Sequence, residues 1–216
     1  MIRLLIARHG NNFAPGDKVV TAGSRNDLPL VDRGWEQAAS LGQALMRTNR
    51  LPSLAFAGPL QRHHHFAAKA LEVAGVELAV QQDARLNEID FGGWTGLSDA
   101  EIQEHFGAEA FAAWHHSSQF PPPPQWGETE AAVVARVDDF CHDLTRQLQT
   151  NPPGGCALVV SSNGVLRFML RLVDGLFDSR NATQAVRMKT GHVSEFLLDE
   201  QGWRLNFWDQ NPNDLS

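Results

Sequence analysis

Leu4-Leu5-Ile6-Ala7-Arg8-His9-Gly10-Asn11-Asn12 is the stretch from which the fold is read. Four apolar residues run into a cation, an imidazole and a glycine. The first part reads as a buried strand bounded by polar and turn-forming residues. The second part places Arg8 and His9 at the C-terminal end of that strand, the edge at which open α/β sheets bind ligands. His9 is therefore a candidate nucleophile, with Arg8 and Asn12 as candidate phosphate ligands. Taken alone, Arg8-His9-Gly10 is a weak motif, because a histidine after a strand is usually structural.

Outward from this strand, residues 11–31 form a long loop carrying Pro15, Gly16, Gly23, Asn26, Asp27 and Pro29. A loop of that length is uncommon unless it is functional. A helix is predicted over about 33–48, with Asp32 as its N-cap and Ala38, Leu41, Gly42 and Leu45 on its buried face. Leu54-Ala55-Phe56-Ala57 reads as a second strand, stopped by Gly58-Pro59 and followed by a helix over about 60–74. Residues 77–80 are expected to add a third strand. Glycine-rich 83–97 is a loop, and 98–106 and 108–116 are short helices. Phe120-Pro121-Pro122-Pro123-Pro124 must be extended and stiff, and reads as part of a lid. Val133, Val137, Phe140, Leu144 and Leu148 have the spacing of an amphipathic helix over 128–149, ended by Pro152-Pro153-Gly154-Gly155. Cys156 to Ser161 is an apolar strand, followed by a helix from Asn163 to about 172. The segments 193–198 and 203–208, on either side of Glu200-Gln201-Gly202, read as a closing β-hairpin. Strands alternating with helices predict an α/β fold, a three-layer αβα sandwich with a mostly parallel central sheet. It is expected as a single domain over 1–216 with a small helical and loop lid at about 98–127.

The composition bounds the partners. With 43% hydrophobic and 20% charged residues among 216, a packed core is expected. The net charge of −7 argues against a nucleic-acid partner. It leaves room for an anionic substrate, because a local arginine cluster can outweigh the global field. The two cysteines match no metal spacing and suggest a reducing compartment. Leu4 to Ala7 is too short for a signal-peptide apolar region, and no stretch approaches a membrane span. A cytoplasmic location without membrane association is expected.

Two further residues fit phosphate chemistry at the same sheet edge. Arg62 follows the second strand at the start of its helix. A guanidinium there opposes the helix dipole, so the residue is either a solvated helix-start cation or a second phosphate ligand. Glu88, in Leu86-Asn87-Glu88-Ile89-Asp90-Phe91-Gly92, is either an exposed loop carboxylate or a general acid.

Four motifs in order resemble those of the histidine phosphatase superfamily, also called phosphoglycerate mutase-like. They are Arg8-His9-Gly10; Asp27-Leu28-Pro29-Leu30 with Gly34 and Gln37-Ala38; Gly58-Pro59-Leu60-Gln61-Arg62; and Leu86 to Gly92. Gly127-Glu128 before a long helix containing Arg136 and Val137 also fits. The resemblance implies that His9 attacks phosphorus and becomes phosphohistidine. It implies that Arg8 and Arg62 hold the phosphoryl oxygens, and that Glu88 protonates the leaving oxygen and then assists water. No cofactor and no metal is implied, and the partner is a small phosphorylated substrate.

One position departs from that pattern. The resemblance calls for a second histidine after the fourth strand, and Ser162 stands there, in Ser161-Ser162-Asn163-Gly164. Ser162 and Asn163 remain candidate phosphate ligands, but a hydroxyl brings no charge, and a charge-assisted hydrogen bond is about twice as strong as a neutral one. His192, in Lys189-Thr190-Gly191-His192-Val193, is the candidate to supply the missing imidazole as a third catalytic group. Otherwise it is a surface histidine at a strand start. His63, His64 and His65 point about 100° apart on a helix and form no metal cluster, although His64 or His65 could face the pocket. Phe111, Trp114, His115, His116, Phe120 and Trp126 are expected mostly to pack the lid, with one or two lining a leaving-group pocket.

The expected function is therefore a phosphomonoester phosphatase acting through phosphohistidine on His9. Two alternatives stay open: a weak or inactive relative that binds a phosphorylated ligand or a protein partner, and a phosphoglycerate mutase. The oligomeric state is not readable from the sequence, a homodimer being one alternative.

Overall fold

Strand β1 (Ile2–Arg8) lies inside the sheet, and side-chain alternation along it divides the core in two. Leu4 and Ile6 pack on one face with Ala157, Val159 and Phe196. Leu5 and Ala7 pack on the other with Leu158, Val160, Ala55 and Ala57. A strand covered on both faces reads as an unbroken apolar run, which is why Leu4 to Ala7 shows no polar alternation. The computed structural model describes residues 1–150 and 155–216. The predicted helix stop at Pro152-Pro153-Gly154 lies outside the described residues.

The six-stranded sheet is completed by β2 (Leu54–Ala57), β3 (Gln81–Gln82), β4 (Cys156–Ser161), β5 (Val193–Asp199) and β6 (Gly202–Gln210), in the order β3-β2-β4-β1-β5-β6. β1, β2, β3 and β4 are parallel; β5 runs antiparallel to both β1 and β6. Helices α1 (Asp32–Arg47) and α2 (Gln61–Val73) cover one face with Leu41, Leu45, Phe66 and Leu71. Helix α5 (Glu130–Thr150) covers the other with Val133, Val137, Phe140, Leu144 and Leu148. Each such Leu or Phe contributes roughly 1.5–3 kcal/mol on full burial. Between α2 and α5, α3 (Asp99–Phe106) and α4 (Ala108–Ser117) occupy the segment predicted as a lid. The architecture is the α/β sandwich with a mostly parallel sheet that the strand–helix alternation predicts.

Three local readings are corrected. Asp32 is not the N-cap of α1: Val31 is, and Asp32 occupies the first turn, at the positive end of the helix dipole. Residues 77–80 form no strand. β2 ends at Ala57, so only Gln81 and Gln82 find partners, on Phe56 and Ala57. The helix after β4 is short, α6 (Asn163–Leu166), and continues as a 3-10 helix over Arg167–Leu172. Helix α7 (Leu176–Ala182) was not anticipated, because it buries no residue fully and so carries no apolar periodicity. Among the described residues no helix is long and apolar enough to cross a membrane.

Candidate active site

The C-terminal ends of β1, β2 and β4 meet at one edge. His9 N–H donates to the Ser161 carbonyl at 3.1 Å, and Gly58 N–H to the Val160 carbonyl at 3.1 Å. Arg8 N–H donates to the His192 carbonyl at 3.1 Å, which brings in the start of β5. A cavity of about 610 Å³ opens over this edge. Arg8, His9, Asn12, Arg62, Glu88, Ser162 and Asn163 all line it.

His9 is 4% exposed. Its Nδ1 lies 2.8 Å from the Gly10 carbonyl oxygen. A carbonyl only accepts, so Nδ1 carries the proton and Nε2 keeps a free lone pair. Burial, then the neighbouring His63, Arg62 and Arg8, hold the imidazole well below its usual pKa. The neutral ring is thus the stable form. The turn that carries it depends on two glycines in contact. A Cβ on Gly10 would collide with the backbone of Gly34, and one on Gly34 with the carbonyl of Asn11. Gln37 on α1 ties the same turn down, accepting from Asn11 N–H at 2.8 Å and donating to the Thr190 carbonyl at 2.9 Å.

Arg62 is 1% exposed and, among the described residues, has no carboxylate partner. Its Nη1 and Nη2 donate to the carbonyls of Asn26 and Gly23 at 2.9 and 3.0 Å, so the long loop aims the guanidinium. Asp27 of the same loop caps α2, accepting from Gln61 N–H at 2.8 Å. Arg8 is anchored by Nη1 donating to the Met188 carbonyl at 2.7 Å. Burial lowers its pKa to about 10, so it stays charged at neutral pH.

Glu88 is 8% exposed and faces the cavity beside Gly164. Its Oε1 accepts from Ile89 N–H at 2.9 Å, and any side chain at Gly164 would collide with the carboxylate. A clamp from α5 fixes the loop that carries it. Arg136 makes a bidentate pair with Glu128 at 2.9 and 3.1 Å, and its Nη1 donates to the carbonyls of Arg85 and Asn87. Glu128 in turn accepts from Asp90 N–H at 3.0 Å.

The structure does not bring His192 to the cavity. Its Nδ1 faces Asp209 on β6, 2.9 Å from the backbone oxygen and 3.0 Å from Oδ1. The antiparallel turn of β5 puts the His192 backbone at the site, while this bond holds the imidazole away. The ring that does stand behind Ser162 is His63, fully buried, with Nε2 2.7 Å from Ser162 Oγ. Neither His64 nor His65 lines the cavity; His65 stacks on Trp35.

Sequence reasoning also passed over Arg167 and Arg187, which line the cavity together with Arg33. Arg167 lies under the Trp114 ring at 4.0 Å and donates to Ser118 Oγ at 3.0 Å, fastening the end of α4 to the site. Burial lowers its pKa to about 9. Its one signal in the sequence is a cation four residues after Asn163, on the same helical face. Of the lid residues, Trp114 and His115 line the cavity. Phe120 and Trp126 pack against one another and against Trp114.

Residues 4–211 match the sequence family described as histidine phosphatase superfamily (branch 1). A 2,3-bisphosphoglycerate-dependent phosphoglycerate mutase of Bifidobacterium longum is 34% identical over 92% of this chain and 87% of its own length. Among solved structures, the alpha-ribazole phosphatase of Shigella flexneri is similar, with 26% identity and a TM-score of 0.76 over 97% of this chain and 96% of that one. A mycobacterial glucosyl-3-phosphoglycerate phosphatase solved with VO3 has 25% identity and a TM-score of 0.75 over 96% and 98% of the two chains. The chain therefore belongs to the histidine phosphatase superfamily.

Proposed function

We propose that this protein is a phosphomonoester phosphatase that works through a phosphohistidine on His9. One observation carries the reading: a buried, neutral imidazole opens its Nε2 lone pair on a cavity that Arg8, Arg62 and Glu88 also line. Arg8 and Arg62 hold the phosphoryl oxygens; being fixed beforehand, they reorganise little as charge develops. Nε2 forms the P–N bond as the ester P–O bond breaks, and Glu88 gives its proton to the departing oxygen. In the second step Glu88 takes a proton from water, the water oxygen bonds to phosphorus, and the P–N bond breaks. Covalent catalysis divides one hard displacement into two easier ones, and phosphoryl transfer asks mainly for positioning and charge. Those tasks fall to the arginines, so the reading requires no metal, and EDTA is expected to leave turnover unchanged. Asn12, Ser162 and Asn163 add neutral contacts to the phosphoryl group.

The test is turnover of 4-nitrophenyl phosphate by wild type and His9→Ala, with an acid-labile, base-stable phosphoenzyme sought after rapid quenching. The expected result is wild-type turnover with a labelled enzyme, and loss of both in the variant. Equal, near-zero rates would instead favour a protein that only binds a phosphorylated ligand. The mutase reading is favoured by the 34% identical relative. It predicts interconversion of phosphoglycerates primed by 2,3-bisphosphoglycerate, against which Ser162 weighs, since a mutase must hold the phosphoryl group between two transfers.

A further inference from the structure

We infer that His63 is a positioning residue that aims the Ser162 hydroxyl proton at the transferring phosphoryl group, so that an α2 histidine and the serine just after β4 together do the work of one cavity-facing imidazole. The inference rests on the phosphohistidine reading; it adds His63, to which that reading gives no role, and says how the Ser162 contact is oriented.

His63 follows Arg62 on α2 and is fully buried, with its ring centroid 5.4 Å from that of His9. Two polar atoms decide its state. Nε2 lies 2.7 Å from Ser162 Oγ. Nδ1 is buried beside Gly58 and has no hydrogen-bond partner among the described residues. A buried N–H without an acceptor costs more than a buried lone pair without a donor. The ring proton therefore sits on Nε2 and donates to Ser162 Oγ. Once Oγ accepts from the ring, its own proton is free to turn elsewhere. Ser162 lines the cavity and His63 does not, so that proton faces the phosphoryl position.

The charge follows the same logic. Burial, reinforced by Arg62, holds His63 well below the usual imidazole pKa. A protonated ring would also leave Nδ1–H unpaired. The site thus receives a neutral, fixed donor where an imidazolium would add a third cation beside Arg8 and Arg62. The opposite polarity, with Ser162 donating to His63 as a nucleophile would to its base, requires the unpaired Nδ1–H and is disfavoured for that reason.

The experiment measures kcat and KM for 4-nitrophenyl phosphate in five variants: Ser162→Ala, His63→Leu, His63→Gln, Ser162→His, and Ser162→His combined with His63→Ala. Ser162→Ala and His63→Leu are each expected to lower kcat by about 10-fold or more, the effect of losing one hydrogen bond to a charged group, with KM little changed. His63→Gln, whose amide N–H can reach Oγ, retains most of the rate, which a merely space-filling role would not require. Ser162→His alone is poor, because two imidazoles cannot share the buried space of His63 and Ser162. Removing His63 in the same chain restores turnover.

Unchanged kcat in Ser162→Ala overturns the inference, whatever becomes of the stability of variants at position 63. So does equal loss in His63→Leu and His63→Gln, or an acid-stable phosphoserine in the quenched wild type. If His9→Ala is inactive while Ser162→Ala is fully active, only this inference falls. If His9→Ala turns over normally, the phosphohistidine reading falls with it.

Discussion

His9 is kept neutral by burial first, and then by His63, Arg62 and Arg8, which has two consequences for pH. His9 remains unprotonated well below pH 6.5. The acid limb of kcat/KM, corrected for substrate ionisation, is expected to show no enzyme group titrating near 6.5, and a limb at that pH would contradict the assigned environment. The second consequence is for stability. Both His9 and His63 have folded pKa values below the unfolded value of about 6.5. Below pH 6.5 the unfolded chain takes up protons that the folded chain refuses. Stability therefore falls as pH falls, by at most about 1.4 kcal/mol per pH unit for each group. Urea unfolding between pH 6.5 and 5.5 should show a shallower decline in His63→Leu than in wild type; parallel curves would sink the assignment. The cavity residues read directly from the sequence were Arg8, His9 and Arg62, which strand ends position, and Glu88, which the loop 87–91 presents. His192 misled because proximity along the backbone says nothing of where a ring points, and Asp209 decides that here. His63 was hidden beside Arg62, since three consecutive histidines cannot form a cluster but one of them can still face inward.

Among the elements, α5 does more than cover the sheet. Its Arg136 holds the carbonyls on either side of Leu86 and the carboxylate of Glu128, fixing the loop that presents Glu88. Arg136→Met is expected to lower unfolding free energy by about 1–3 kcal/mol and to reduce kcat more than KM, as read by urea titration and steady-state kinetics. A variant that loses stability yet keeps full kcat would separate the clamp from the chemistry. At the far side of the sheet, Glu195 of β5 is fully buried and held by Arg3 at 2.6 Å and Arg50 at 3.0 Å. Glu195→Ala strands part of that charge, and a loss of about 3 kcal/mol is expected without change in the pH profile of turnover. The apolar periodicity that reveals α1, α2 and α5 is a property of burial, so the elements that bury little were the ones missed. α7 and the two-residue β3 are cases of this. Arg136 was visible as a motif residue, but its partners 51 and 49 positions away were not.

For the whole molecule, the net charge is −7, yet the cavity is lined by Arg8, Arg33, Arg62, Arg167 and Arg187 against Asp17 and Glu88. The local field attracts an anion that the global field repels. kcat/KM for a dianionic aryl phosphate is expected to fall as salt rises and the Debye length shrinks from about 30 Å at 0.01 M to about 3 Å at 1 M; a rising rate would show that the global charge dominates. The layered architecture was legible because strand–helix alternation admits few topologies. The strand order β3-β2-β4-β1-β5-β6 was not, since a list of elements does not say which of them pair. That order bears on biosynthesis. β1 is made before the other five strands but sits between β4 and β5, which are made late. Leu4-Leu5-Ile6-Ala7 therefore waits with both backbone edges open while most of the chain is synthesised, and its non-local pairing makes closure of the sheet slow. Until β4 and β5 emerge, this short apolar strand is open to other nascent chains, and His9 at its end is fixed only once they pair with it.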